Sequence, residues 1–222
     1  MPAPPLVAPS WRRACIGVIV AAIAVVAVVG AAVHGRQTPT GFDTWAARPL
    51  FNQISELTGA RLLNLSSPAL SVGGLAVVAA LAALVRNWAL VAVATVAPTV
   101  AIIVTEFVLK PIVHRSISDA ATAYPSGHET GLVSLLVVLL LVLSRAPFSR
   151  AVTAIVVTLL GLWAAIGAIG LVRGHYHFPT DTIGGMGVAM ACVLSVALVI
   201  DWISDRVSRP DRTEAAQLTR RS

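Results

Sequence analysis

Charge is scarce in this chain. Only 12% of its 222 residues are charged and 57% are hydrophobic, whereas a soluble domain carries about a quarter charged residues. The shortfall excludes an ordinary water-facing surface and makes lipid the solvent for much of the molecule. Lysine is scarcer still: of sixteen cationic side chains, fifteen are arginine and Lys110 is the single lysine. The net charge of +6 is not a nucleic-acid footprint, because the basic residues stand singly or in small groups between and beyond apolar runs. Cysteine is limited to Cys15 and Cys192, both within apolar runs, which excludes a disulfide framework or a thiolate metal knuckle. Internal repeats are absent, which weighs against a repeat-built transporter.

What the chain has in abundance is long apolar runs. Each membrane crossing needs roughly 20 apolar residues, and six runs fit, at 14–33, 69–86, 88–109, 129–145, 151–173 and 180–203. The fourth is the shortest. Only helices and closed barrels satisfy their backbone groups in lipid, and these runs are apolar all round rather than alternating. The expectation is an all-α, polytopic membrane helix bundle with about six transmembrane helices: one domain over 1–203 and a polar tail over 204–222. Arg12 and Arg13 precede the first run as in a signal peptide. The run is long enough to span and shows no clear cleavage site, so it reads as a retained span. Ten of the sixteen basic residues fall on the side of the N-terminus. By the positive-inside rule both termini are cytoplasmic, in a cell (plasma) membrane. The segment 40–67 differs: Phe42, Trp45, Leu50, Ile54 and Leu57 line one face among polar residues, as in an interfacial connector. A lid beside a site is its second reading. Glycines from Gly161 to Gly187 allow close helix approach.

Three polar clusters then meet on the extracytoplasmic side. Ionisable residues so close to spans point to function. The first closes span three: Glu106, Lys110, His114 and Arg115. Lys110 and Arg115 suit a phosphate, or an interfacial anchor; Glu106, four residues before Lys110, is spaced for an ion pair with it. The second opens span four: Tyr124, Pro125, Ser126, Gly127, His128 and Glu129. A helix start there offers free N–H groups and a positive dipole end to an anion. Gly127 permits close approach, and His128 moves protons near neutral pH. The third lies between spans five and six: Arg173, His175, His177 and Asp181. Pro179 suits the first helical position, and Asp181 is placed to hold one ring nitrogen of His177, leaving the other as a nucleophile. The His175-x-His177 pair leaves a metal site as a rival. The roles of His175, Glu106 and Glu129 stay open.

Together these residues resemble the type 2 phosphatidic acid phosphatase superfamily, over roughly 95–200. That family carries Lys-x6-Arg-Pro, then Pro-Ser-Gly-His, then Ser-Arg-x5-His-x3-Asp. The second motif is intact as Pro125-Ser126-Gly127-His128, the third keeps His177-Phe178-Pro179-Thr180-Asp181, and the first keeps Lys110. Ile117-Ser118 and Gly170-Leu171 stand where the family has its Arg-Pro and Ser-Arg pairs, with Arg115 and Arg173 as the nearest replacements. The resemblance implies a metal-independent lipid-phosphate phosphatase without cofactor, working through a phosphohistidine. His177 is then the nucleophile, His128 the proton carrier and Asp181 the residue that orients His177. Lys110, Arg115, Arg173 and the backbone at Ser126 and Gly127 bind the phosphate. Implied partners are a lipid phosphate, such as a polyprenyl diphosphate or phosphatidate, and membrane lipids. A lipid phosphotransferase, or a non-catalytic membrane protein with a degenerate site, are the alternatives.

Overall fold

Capping residues open most of the helical runs. The computed structural model describes residues 5–118, 121–145 and 148–207. Thr40, Ser55, Ser67, Asn87, Ser126 and Ser149 each accept, through the side chain, the backbone N–H three residues on. Each cap satisfies one of the orphan donors of a helix start and is worth about 1 kcal/mol. The helices that follow are α2 (Gly41–Gln53), α3 (Glu56–Leu63), α4 (Pro68–Leu84), α5 (Trp88–Ile103), α7 (Gly127–Leu143) and α8 (Arg150–Arg173). They are preceded by α1 (Arg12–Val33) and closed by α9 (Pro179–Val207). Past Ile103 the chain stays helical through a π-helical stretch, Val104–Leu109, and a last turn, α6 (Lys110–Val113). It stops where His114 adopts a left-handed φ of 50°. A short antiparallel pair, Ser116–Ser118 with Ala121–Thr122, leads on to α7.

Among the described residues the fold is all-α apart from that short pair, and five helical stretches are long and apolar enough to cross a membrane: Pro9–Val33, Glu56–Leu84, Trp88–Val113, Arg150–Arg173 and Pro179–Val207. The chain is an integral membrane protein. The fourth expected span, α7, is apolar but has only 17 residues. It rises about 26 Å, short of the roughly 30 Å hydrocarbon core. The reason lies in its position. It packs on α4, α5, α8 and α9, and most of its length is buried in protein. Its start is set by the Ser126 cap inside the bundle rather than by a lipid interface.

Two other boundaries move. Span three runs four residues beyond 109, through Val113. The last helix overruns the expected start of the tail and ends at Val207, with Arg206 lying over the Trp202 ring; the rest of that tail, 208–222, lies outside the described residues. The connector 40–67 divides into α2 and α3, and α3 packs along α8.

At the end of the bundle away from the polar clusters, Asp201 of α9 is buried and its two oxygens accept the backbone N–H groups of Leu6 and Val7, at 2.7 and 2.8 Å. Arg12 reaches Asp205 at 2.8 Å. Both amides would be stranded without the carboxylate. Asp201→Ala should therefore cost on the order of 3 kcal/mol, read as a lower thermal midpoint in detergent, while Asp205→Ala, which loses only a half-exposed pair, should change it little.

Candidate active site

The three polar clusters come together at one end of the bundle because α5–α6 ends there and α7 and α9 begin there. Ser126, fully buried, receives the Glu129 N–H on its side chain and itself donates its backbone N–H to the Asp181 carbonyl at 3.0 Å. That bond ties the start of α7 to the start of α9. The His128 and His177 rings lie 6.1 Å apart between centroids, nearly edge to face. Both line a cavity of about 840 Å³, with Glu106, Lys110 and Gly127 beside them. Lys110 donates to both oxygens of Glu106 at 2.8 and 2.7 Å, the ion pair that the four-residue spacing anticipates. The Glu106 carboxylate also abuts Gly127, so closely that an added Cβ at Gly127 would collide with it. A side chain at Gly127 would have to push the Glu106 carboxylate aside at the N-terminal turn of α7, where free amides favour an anion.

His177 follows a bend in which His175 takes a left-handed φ of 60° and stacks on Phe51 of α2, 4.9 Å between centroids. Behind His177 stands Asp181. Its Oδ2 is 3.8 Å from His177 Nδ1, beyond hydrogen-bond range, and Nδ1 is buried without a partner. The direct hydrogen bond expected between the two is therefore not formed. Asp181 spends its oxygens elsewhere: Oδ2 accepts the Phe178 N–H at 2.8 Å and Oδ1 accepts from Arg115 at 2.8 Å.

Neither arginine expected at the phosphate faces the cavity. Arg115 is fully buried. Its guanidinium donates to Asp181, to Asp43 at 2.7 Å and to the Thr180 hydroxyl, and lies 4.4 Å over the Phe178 ring. Buried carboxylates outcompete an open cavity for a buried guanidinium. Arg173 turns the other way: its Nε donates to the Ile54 carbonyl at 2.7 Å and its guanidinium lies 5.4 Å from the Phe51 ring. It fastens α8 to the connector.

The departures from the family motifs have local causes. Ile117, where the motif calls for arginine, lines the cavity and makes that wall apolar. Gly170, where the motif calls for serine, is where α3 crosses α8; an added Cβ there would meet the Leu62–Leu63 backbone within 3 Å. Leu171 is completely buried.

Sequence reasoning missed Asp43. The residue is one of the polar residues interleaved with the apolar face of the 40–67 connector, yet the side chain is 1% exposed. The available signal was Thr40 three residues earlier, the spacing of a capping box, which the structure contains. Burial pushes the Asp43 carboxyl up. Hydrogen bonds from the Thr40 and Thr180 amides, from Arg115 and from the Thr180 hydroxyl outweigh it and hold the pKa below the ordinary carboxylate value. A carboxyl depressed in the fold stabilises it above the unfolded pKa, and loses that contribution as pH falls through the folded one.

A PAP2 superfamily model matches residues 71–205. The chain belongs to the PAP2 superfamily. Searches of curated proteins and of solved structures each found no match. PAP2 membership implies phosphate-monoester substrates, generally lipids, and suggests metal-independent phosphatase chemistry. The match takes in all three polar clusters and leaves out α1, α2 and α3, so Asp43 lies outside it.

Proposed function

We propose that this PAP2 protein is a lipid-phosphate phosphatase working through a phosphohistidine. The observation that carries the reading is the facing pair His128 and His177, 6.1 Å apart, at the mouth of a cavity that also holds Lys110 and the α7 N-terminus. The ring nitrogen of His177 away from Asp181, Nε2, attacks phosphorus in line. An N–P bond forms as the P–O bond to the lipid breaks, and His128 gives the leaving oxygen its proton. His128 then takes a proton from water, which attacks phosphorus, breaks the N–P bond and releases inorganic phosphate. Lys110 and the first-turn amides of α7 hold the non-bridging oxygens, the phosphate displacing Glu106 from Lys110. A shift of about 1 Å brings His177 Nδ1 into hydrogen-bond range of Asp181. By the bias of basic residues toward the opposite end, the site faces away from the cytoplasm of the plasma membrane, with both termini inside.

The shape of the cavity supports a lipid. From Lys110 it runs along α5 as far as Ala94, about 24 Å at 1.5 Å per residue, between α4 and α5. Its walls beyond the polar mouth are chiefly apolar, among them Leu75, Ala76, Pro98 and Ile102. A headgroup at the histidines would lay one acyl or prenyl chain in that groove. The test is phosphate release by the purified protein from phosphatidate, prenyl diphosphate and glycerol phosphate, with and without a chelator. Release from the lipids, undiminished by chelation and poor with glycerol phosphate, is expected. Release from none of them, or its loss on chelation, would sink the reading. Filling the groove with Ala76→Phe or Thr99→Phe should raise KM for the lipid about tenfold and leave a short aryl phosphate unaffected.

A further inference from the structure

Resting on the phosphatase reading, we infer that Asp43 of α2 is a positioning residue for the reaction, which keeps the charge of Asp181 available to His177 by neutralising Arg115. Asp43 bonds to Arg115 and to Thr180, the two residues that adjoin Asp181 behind the nucleophile. Its Oδ2 accepts from Arg115 at 2.7 Å and from the Thr40 N–H at 2.9 Å. Its Oδ1 accepts the Thr180 N–H at 2.9 Å and the Thr180 hydroxyl at 2.8 Å. Arg115 in turn donates to Asp181 at 2.8 Å, and Asp181 Oδ2 faces His177 Nδ1 at 3.8 Å. Asp43, Arg115 and Asp181 are all buried, so their charges are weakly screened.

The electrostatics decide what this arrangement does. When His177 takes up a phosphoryl group its imidazole becomes cationic, and a carboxylate behind it stabilises that charge. Arg115 alone beside Asp181 would cancel the carboxylate. With Asp43 on the other side of the guanidinium, two carboxylates share one cation and a net negative charge remains behind His177. The same bonds fix geometry, because Thr180 and Asp181 form the first turn of α9 and Asp43 holds that turn through two bonds to Thr180. A connector outside the matched family region thereby supplies part of the site's supporting charge.

A purely structural Asp43 and this one differ in a double-variant experiment. Asp43→Asn should lower kcat on a lipid phosphate by roughly 10²-fold, with KM little changed and the thermal midpoint in detergent showing folded protein. Adding Arg115→Met, a buried uncharged replacement, should recover part of that loss, because Asp181 is no longer cancelled. The double variant removes the buried cation together with Asp43, so it also serves as the test if Asp43→Asn alone does not fold; its kcat should then fall short of wild type by less than the roughly 10²-fold loss expected beside an unopposed Arg115. Wild-type kcat for Asp43→Asn would overturn the inference, as would a double variant that still loses roughly 10²-fold or more. His177→Ala is measured alongside: if it stays active the phosphatase reading fails, whereas an inactive His177→Ala beside an unimpaired Asp43→Asn sinks only the role of Asp43.

Discussion

His177→Ala protein should release phosphate from a lipid phosphate at least about 10⁴-fold more slowly than wild type, since losing a nucleophile removes the covalent route altogether. It should also retain its fold. The His177 ring has no hydrogen bond on Nδ1 and borders open cavity, so truncation strands no buried partner and leaves only modest packing to lose. Wild-type protein mixed with a labelled lipid phosphate and quenched in base should carry label on the enzyme, and that label should fall away in acid, as expected of a phosphohistidine. The variant should carry none. A variant that turned over at the wild-type rate, or a labelled His177→Ala enzyme, would require another nucleophile. His128 is the side chain to examine then, because it faces the same cavity from the opposite wall.

What made the site legible in the sequence was the cost of placing polar residues among apolar ones. Pro125 to His128 interrupt a chain that is otherwise buried in lipid-compatible side chains, and Pro179 with Asp181 marks a helix start. Alternating crossings then carry span ends to one face whatever their separation in sequence. That logic needs only the period and length of the runs, and the cavity does gather Lys110, Gly127, His128 and His177. It fails for the arginines. Arg115 and Arg173 are long and cationic, and proximity to the site suggests a phosphate. Their partners are decided by tertiary contacts that no local pattern encodes: Asp43, from 72 residues away, on Arg115, and the Ile54 carbonyl on Arg173. The sequence marks α7 as the shortest of the expected spans but not its burial between four other helices, since its composition is as apolar as that of a lipid-facing one.

His128→Ala should lose about 10²–10⁴-fold in turnover of a lipid phosphate, and the loss should depend on the leaving group. An aliphatic alkoxide departs only as it is protonated, so removing the proton donor slows formation of the phosphoenzyme. A nitrophenolate departs unaided, and with an aryl phosphate the first step should proceed at close to its normal rate. The second step still needs a base to activate water, and His128 is the group placed to do it, 6.1 Å from His177 across the cavity. Its phosphoenzyme should therefore accumulate. Rapid mixing of His128→Ala with an aryl phosphate should give a burst of nitrophenol equal to the enzyme, followed by slow release. With the lipid substrate the same variant should be slow from the first turnover and show no burst. An equal loss on both substrates without a burst would instead make His128 a binding residue and assign the proton transfers to another group. Two histidines facing one phosphoryl position divide the chemistry in this way only if one forms the bond and the other moves the proton, and the burst distinguishes the two because it separates the steps in time.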